Sequence, residues 1–583
     1  MSAGGPPPPF PQKHMQAARR RTLNPPSTPL LRPRDSESHA SDKFAFPYDP
    51  LDWGSTLDLG SQEPDDWLHN PDPRRDRQVD NDINIFTSRG LTNLGCLVLL
   101  VFAMVGLFAV YPMVSALTKT NQSTNGGFNL GGINGTGQVP EIPGNHGLID
   151  KDTPADAMTW TPITGQGEWQ LVFSDEFETE DRTFYPGDDP YWEAVDLHYW
   201  GTNNMEWYDP SAITTKNGAL EITLSDHPTK GMDYTGGMMS TWNKFCFTGG
   251  AFLASVTLPG SPNVAGLWPA VWAMGNLGRA GYGASLDGMW PYTYDSCDVG
   301  TLPNQTTPDG LPIAATINGD EAADGVLSYL PGQKLSRCTC PGEEHPGPMH
   351  ADGTYVGRAA PEIDVIEAQV AQGPNGRMVH DVSQSLQLAP FNEAYTWFNT
   401  SETLIIPNAT MSALNAYKGG RYQQAASVIS HTNANCYEFD GTACFSLYGF
   451  EYKPGFDDAY VTWLNDGQHA WTITAGGLAP DPAVEIGARP VPQEPMYMIL
   501  NLGLSENFGF VDVQNLIFPT KMRVDWVRVY QPPDAINIGC DPADFPTAAY
   551  IERFPEAYSN PNLTTWIDDY RQVFPKNKLV DQC

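Results

Sequence analysis

The sequence predicts an all-β fold, an antiparallel β-sandwich jelly roll, preceded by a disordered tail and one transmembrane helix. Three observations carry that expectation. Beyond about Trp160, short runs of β-branched and aromatic residues recur between Gly, Pro, Asn and Asp turns. Over the same stretch, long helical periodicities are scarce. Ahead of it stands one uncharged run, Gly95 to Leu117.

The first ninety residues are rich in Pro, Ser, Arg and Asp and include Pro6-Pro7-Pro8-Pro9. Without apolar periodicity they cannot build a core, so 1–90 reads as a disordered cytoplasmic tail. The run that follows, assigned to 94–117, is long enough to cross a bilayer of roughly 30 Å as a signal-anchor helix. It is too long, and too far from the N-terminus, for a cleaved signal peptide. A buried core helix is the alternative, and the lack of any polar face argues against it. Arg74, Arg75, Arg77 and Arg89 precede the run and only Lys119 follows closely, which predicts a cytoplasmic N-terminus. The sequons at Asn121, Asn134, Asn304, Asn399, Asn408 and Asn562 all lie beyond it and are candidate glycosylation sites. Residues 118–159, opening on a Gly-, Asn- and Thr-rich stretch, read as a flexible stalk. The whole predicts a single-pass type II membrane protein of the secretory pathway, in the endoplasmic reticulum, Golgi or plasma membrane. Its folded domain is then lumenal or extracellular.

Cysteine usage agrees. Of nine cysteines, Cys96 falls in the apolar run and eight lie after it: Cys246, Cys297, Cys338, Cys340, Cys436, Cys444, Cys540 and Cys583. An even set in an oxidising compartment predicts disulfides, with connectivity open. Cys338-Thr339-Cys340 lacks a second pair or nearby histidines, so no metal site is assigned. Residues 1–90 hold 11 basic and 13 acidic side chains, so nearly all of the net charge of −35 lies beyond them. That excess argues against nucleic acid and is compatible with a neutral polysaccharide. Acidic clusters leave structural calcium open, although no segment reads as an EF-hand loop. No P-loop, dinucleotide fingerprint or zinc-protease motif is present, and no cofactor is expected.

Within 160–531 the strand-like runs are Gln170–Phe173, Leu220–Ser225, Gly250–Leu258, Tyr460–Leu464, Trp471–Ala475, Met496–Leu504 and Met522–Gln531. Leu220, Ile222 and Leu224 alternate with Glu221, Thr223 and Ser225, one apolar face against one polar. The stretch from about 276 to 361 is mostly Gly, Pro, Asp and Cys and reads as an elaborated insert. Residues 532–583 form an extension carrying two cysteines.

The sharpest chemical signal is Glu362-Ile363-Asp364-Val365-Ile366-Glu367. Its β-branched residues favour a strand, and period-2 alternation puts Glu362 and Asp364 on one face. Glu367 would point away unless a one-residue bulge near Val365 or Ile366 returned it. Two glutamates flanking a scissile bond, with an aspartate between to tune them, suit glycoside cleavage with retention. A solvated, charged strand edge is the plain alternative. Aromatic segments supply platforms for sugar rings: Tyr199-Trp200-Gly201-Thr202-Asn203-Asn204-Met205-Glu206-Trp207-Tyr208, and Gly266 to Trp272, where Trp268 and Trp272 share a face. Core packing is the alternative for those tryptophans. His380 follows the acidic strand and is either a substrate contact or a structural hydrogen-bonder. Trp290, in the insert, either extends the cleft or anchors the loop.

Together these segments resemble glycoside hydrolase family 16, the laminarinase-like β-glucanases. The match runs from Leu171-Val172-Phe173-Ser174-Asp175-Glu176-Phe177 through Asn203-Asn204, Trp268-Pro-Ala-x-Trp272 and the acidic hexapeptide to Val524-Asp-Trp-Val-Arg-Val-Tyr530, in the family's order. The insert, with Gly283 to Cys297 and Cys338-Thr-Cys-Pro-Gly342, the anchor and the C-terminal extension resemble the fungal membrane-anchored β-glucan-synthesis-associated branch, of the yeast killer-toxin-resistance type. The resemblance implies a concanavalin-like two-sheet jelly roll with a glycan cleft, and a role in cell-wall β-1,6-glucan synthesis. It implies Glu362 as nucleophile, Asp364 as its electrostatic helper and Glu367 as general acid/base. Asn204, Trp207, Trp268, Trp272, Trp290 and His380 are the candidate substrate contacts. β-Glucan is the expected partner, with wall-synthesis proteins as further candidates. The chain departs from the secreted laminarinases at Gly250-Ala251, where they often carry Gly-Arg, and in the insert. Hydrolysis and transglycosylation share every catalytic residue. A non-catalytic glucan-binding scaffold and a plain endo-β-glucan hydrolase remain the rival readings.

Overall fold

In a computed structural model the described residues are 88–111, 113–114, 147–165, 167–373 and 375–583, with 73, 74 and 77. Most of the predicted tail and stalk, with Asn121 and Asn134, lie outside the described residues.

One unit holds an α-helix, Ser88–Val105, continued by a π-helical turn, Gly106–Val110. Among the described residues no helix is long and apolar enough to cross a membrane. The continuous helix expected over 94–117 is therefore corrected: α-helical bonding begins earlier and gives way at Gly106. Glycine resists the wider turn least, and the Tyr111 N–H reaches back to the Gly106 carbonyl.

The other unit is all-β, two ten-stranded sheets. The sheet that matters for chemistry contains β1 (Tyr234–Ser240), β2 (Trp268–Gly275), β3 (Glu362–Gln372), β4 (Met378–Leu388), β5 (Gln423–His431) and β6 (Met496–Gly503). Their spatial order is β5-β4-β3-β2-β6-β1, all antiparallel, with Ser412–Leu414 and Glu193–Ala194 at the two ends. The second sheet runs Thr159–Trp160, Trp169–Asp175, Thr520–Gln531, Gly250–Thr257, Ser446–Lys453, Tyr460–Asn465, Gln468–Thr474, Leu404–Ile405. All seven predicted strands are present, with ends moved by a few residues at most.

Between the sheets, alternation does what the sequence requires. Leu220, Ile222 and Leu224 are fully buried, each contributing about 1.5–3 kcal/mol of burial free energy. From the site sheet, Val271, Ala273, Ile363, Val365, Ile366, Val382 and Leu386 point into the same core. The intervening residues of β2 to β4 therefore face the other way.

The insert occupies 276–361, between the end of β2 and the start of β3. Four disulfides use all eight predicted cysteines: Cys246–Cys540, Cys297–Cys338, Cys340–Cys583 and Cys436–Cys444. Two of them pin the C-terminal extension, which seats on the insert rather than hanging free. Tyr558 donates to the Leu277 carbonyl at 2.8 Å, and Ala284 donates its N–H to the Leu563 carbonyl at 2.9 Å. The buried Arg358 makes a two-toothed contact with Glu494, both arms 2.8 Å, and its third arm reaches the Gly347 and Pro546 carbonyls. The predicted stalk is shorter than 118–159 at its C-terminal end. Thr153 is buried against Ser174, their hydroxyls 2.7 Å apart, and Thr159–Trp160 pairs with the following strand.

Candidate active site

β3 carries the acidic hexapeptide, and its register contains the expected bulge. Against β4, Glu362 pairs with Gln387, Asp364 with Ser385 and Glu367 with Ser383. Two residues of β3, Val365 and Ile366, thus stand against one of β4, Gln384, between Asp364 and Glu367. Against β2 the same slip falls between Asp364 and Ile366. Gln387, Ser385 and Ser383 alternate on one face, so the three carboxylates share it.

A bulge frees carbonyls, and buried donors from distant segments take them. Gln384, fully buried, donates Nε2 to the Val365 carbonyl and to the Leu464 carbonyl, both at 2.9 Å. Trp463, in the second sheet, donates its indole N–H to the Asp364 carbonyl at 2.8 Å and stacks on Trp471 at 4.1 Å. The irregularity that turns Glu367 toward its partners is thereby satisfied from beneath.

On the site face, Asp364 is buried and its Oδ2 accepts from Ser385 Oγ at 2.6 Å and Gln387 Nε2 at 3.0 Å. Trp290 Nε1 donates to Glu362 Oε2 at 2.6 Å, and Trp268 Nε1 donates to Glu367 Oε1 at 3.2 Å. Trp268 stacks flat on Phe508, 4.2 Å between centroids. Burial, then repulsion from Asp364 and Glu367, pushes Glu362 well above the usual carboxylate range. Asp364 rises to about 6, chiefly through burial, opposed by its hydrogen bonds from Ser385 and Gln387. Burial and the Asp364 charge push Glu367 up to about 8. Glu362 and Asp364 sit two apart on one face, and each one's charge opposes ionisation of the other, so the two do not ionise independently. At neutral pH Glu367 keeps its proton and can donate it, and Asp364 is the one of the three that ionises most readily.

Behind the site runs a buried polar chain. Trp272 donates its indole N–H to Asn501 Oδ1 at 2.7 Å, and Asn501 donates to the Tyr208 hydroxyl at 3.2 Å. Asn204 donates to Glu206 at 2.6 Å and to Tyr208 at 3.0 Å, while the Leu504 N–H reaches Glu206 Oε2 at 3.0 Å. Burial pushes Glu206 up to about 7 against those hydrogen bonds. Burial, then the charge of Glu362 together with those of Asp364 and Glu367, pushes the Tyr199 phenol well up.

Of the predicted substrate contacts, the structure brings Trp268 and Trp290 to the carboxylates. Trp272 lies on the same face, opposite Asp364, but is buried on Asn501; Asn204 spends its amide internally. Both support the wall instead of facing ligand. Trp207 is corrected: with Glu206 and Tyr208 buried on either side, it alternates outward, donating to Asp196 at 2.7 Å beneath the Lys230 ammonium. His380 is corrected too. It shares the face of Val382 and Leu386, opposite Ser383 and Ser385, and its Nδ1 contacts Thr432 Oγ1 at 2.8 Å. It is a structural hydrogen-bonder. Asn304, Asn399, Asn408 and Asn562 are all exposed.

Ser385, Gln387, Gln384, Trp463 and Asn501 were missed. Ser383-x-Ser385-x-Gln387 carried a legible signal, an alternating polar face on the strand after the acidic one. Among the described residues no group of three or more His, Cys, Asp or Glu side chains is placed to hold a metal ion.

Residues 56–583 match the family described as "Beta-glucan synthesis-associated protein SKN1/KRE6/Sbg1". The chain is 42% identical over 532 residues to the beta-glucan synthesis-associated protein SKN1 of Candida albicans, covering 90% of this chain and 67% of that protein. It is 41% identical over 543 residues to KRE6 of Saccharomyces cerevisiae, covering 90% and 70%. Among solved structures, the laminarinase catalytic domain from Thermotoga maritima is similar at a TM-score of 0.34 and 20% identity, over 62% of this chain and 98% of that one. The endo-beta-1,3-glucanase from Pyrococcus furiosus gives 0.36 and 18%, over 65% and 98%.

Proposed function

The chain belongs to the beta-glucan synthesis-associated SKN1/KRE6/Sbg1 family, and from that premise we propose that it is a retaining β-glucan glycosidase or transglycosylase acting in cell-wall β-1,6-glucan formation. The single observation that carries this reading is the bulge that sets Glu362, Asp364 and Glu367 on one face, each indole-bound or hydroxyl-bound, with Asp364 buried and the two glutamates half-buried.

Glu362 attacks the anomeric carbon while Glu367, protonated at neutral pH, gives its proton to the departing glycosidic oxygen. Glu362 reacts as its carboxylate, its proton passing to the neighbouring Asp364, which Ser385 and Gln387 hold in place and which gives the proton back when the ester opens. The glycosyl-enzyme ester is then opened by water or by a sugar hydroxyl, deprotonated by Glu367. Water gives hydrolysis and the sugar gives transfer. A biosynthetic family favours transfer, so we take transglycosylation as the physiological outcome.

We place the β-sandwich on the lumenal or extracellular side of a secretory-pathway membrane. Four disulfides, the exposed sequons and the apolar run with its basic N-terminal flank support that placement.

The test is product analysis by mass spectrometry with defined β-1,3- and β-1,6-gluco-oligosaccharides and the purified full-length chain. Longer products, lost in Glu362→Gln and Glu367→Gln with folding intact, are expected. Only shorter products would make it a hydrolase. Retained binding with no products in any variant would leave a glucan-binding scaffold in its place.

A further inference from the structure

We propose that Trp290, supplied by the 276–361 insert, is a positioning residue for Glu362: its indole N–H fixes one carboxylate oxygen so that the other faces the anomeric carbon. This rests on the glycosidase reading above and adds what the insert and the C-terminal extension are for.

The contact is short, Trp290 Nε1 to Glu362 Oε2 at 2.6 Å. An indole N–H donates and cannot accept, so Oε2 is held as an acceptor whether or not the other oxygen of Glu362 carries a proton. The charged groups that act on Glu362 are Asp364 and Glu367 on its own strand, and its charge in turn acts on the phenols of Tyr199 and, from β6, Tyr497. None of those groups is a cation, and the donor bonded to Glu362 is the Trp290 indole. Glu367 has its own indole, but that one comes from β2 inside the sheet; the indole on Glu362 comes from outside it.

The backbone around Trp290 is braced from two sides. The Ala360 N–H donates to the Met289 carbonyl at 3.1 Å, tying the turn to the residues that lead into β3. The Trp290 N–H closes the turn on the Leu286 carbonyl at 2.9 Å. Gly288 sits at φ +74°, and a Cβ there would stand 2.7 Å from Phe574 Cζ of the extension and 2.9 Å from Lys334 Cβ. Only glycine lets the extension press this close. One residue earlier, Asp287 Oδ2 accepts the Trp566 N–H at 2.8 Å. The extension thus backs the turn, the turn carries Trp290, and Trp290 holds Glu362.

Two variants of the full-length chain separate holding from mere lining. Trp290→Phe keeps a ring and removes the donor; Trp290→His restores a donor. In Trp290→Phe, kcat should fall about 10- to 100-fold, the worth of a hydrogen bond to a charged group, with KM nearly unchanged. The acidic limb of the kcat/KM profile should move to higher pH, because the ionised carboxylate has lost its donor. Trp290→His should recover part of both. A raised KM with an unmoved acidic limb would make Trp290 only a cleft wall and overturn the proposal. A second readout needs no turnover: infrared titration of the carboxyl band absent from Glu362→Gln. Its midpoint should rise in Trp290→Phe, and an unmoved midpoint overturns the proposal. If the wild-type chain turns over no glucan, the glycosidase reading fails by itself, and the infrared midpoint still decides whether the contact holds Glu362.

Discussion

Replacing Gln384 by leucine tests whether the bulge is held from beneath. The side chains are similar in volume, so the change leaves packing nearly intact while removing the Nε2 donor that serves two buried carbonyls at 2.9 Å. Leaving each carbonyl short of a partner costs about 1–3 kcal/mol, so the variant should lose about 2–4 kcal/mol of stability. That is a large share of a typical domain's roughly 5–15 kcal/mol. Denaturant titration under oxidising conditions measures it, as a lower midpoint at constant slope. Relaxation of the bulge that eases this loss should take Glu367 out of alignment, so turnover should fall more steeply than stability. Trp463→Phe removes the third donor, to the Asp364 carbonyl, and a double-mutant cycle between the two should give a coupling of about 0.5–3 kcal/mol, since both act on one bulge. A stability loss under about 0.5 kcal/mol in Gln384→Leu, with wild-type turnover, would refute the claim that these donors hold the bulge.

Three further outcomes are expected. Glu367 has its folded pKa raised from 4.5 to about 8, so its contribution to stability is fully present below about pH 4.5 and is lost as pH rises through about 8. Glu367→Gln should therefore flatten the decline of unfolding free energy across that window, read from denaturant midpoints at several pH values, and wild-type turnover should fall as pH passes about 8. Arg358→Met strands the buried Glu494 charge and should cost about 3–5 kcal/mol, whereas adding Glu494→Leu should restore most of it; an uncorrected double variant would show that the ion pair is not the cause. Removing the Cys340–Cys583 disulfide with paired serines should cost about 2–5 kcal/mol and deprotect the Cys340 and Lys578 amides, which donate to the Lys576 and Cys338 carbonyls, in hydrogen exchange. Unchanged exchange at those amides would mean that the extension is seated without it.

By itself the sequence determined what depends on neighbours along the chain. Strand periodicity, turn punctuation, the insert between Gly275 and Glu362 and the extension after Gln531 were all legible, because each is a local pattern of side chains. So was the bulge, since three carboxylates at those spacings share a face only with one extra residue. The tertiary structure decided what depends on register and on long-range closure. Trp290 and Glu362 are 72 positions apart, and Trp463 and Asp364 are 99 apart; no local pattern ties either pair. His380 failed as a substrate contact because one step along β4 exchanges the site face for the core face, and the register that fixes the step is set by β3 and β5. Disulfide connectivity was likewise invisible, because eight cysteines can pair in many ways and only the seating of the extension on the insert selects one. Local free energy chooses strands; which strands meet, and what stands over a carboxylate, follows from the burial and hydrogen bonding of the whole chain.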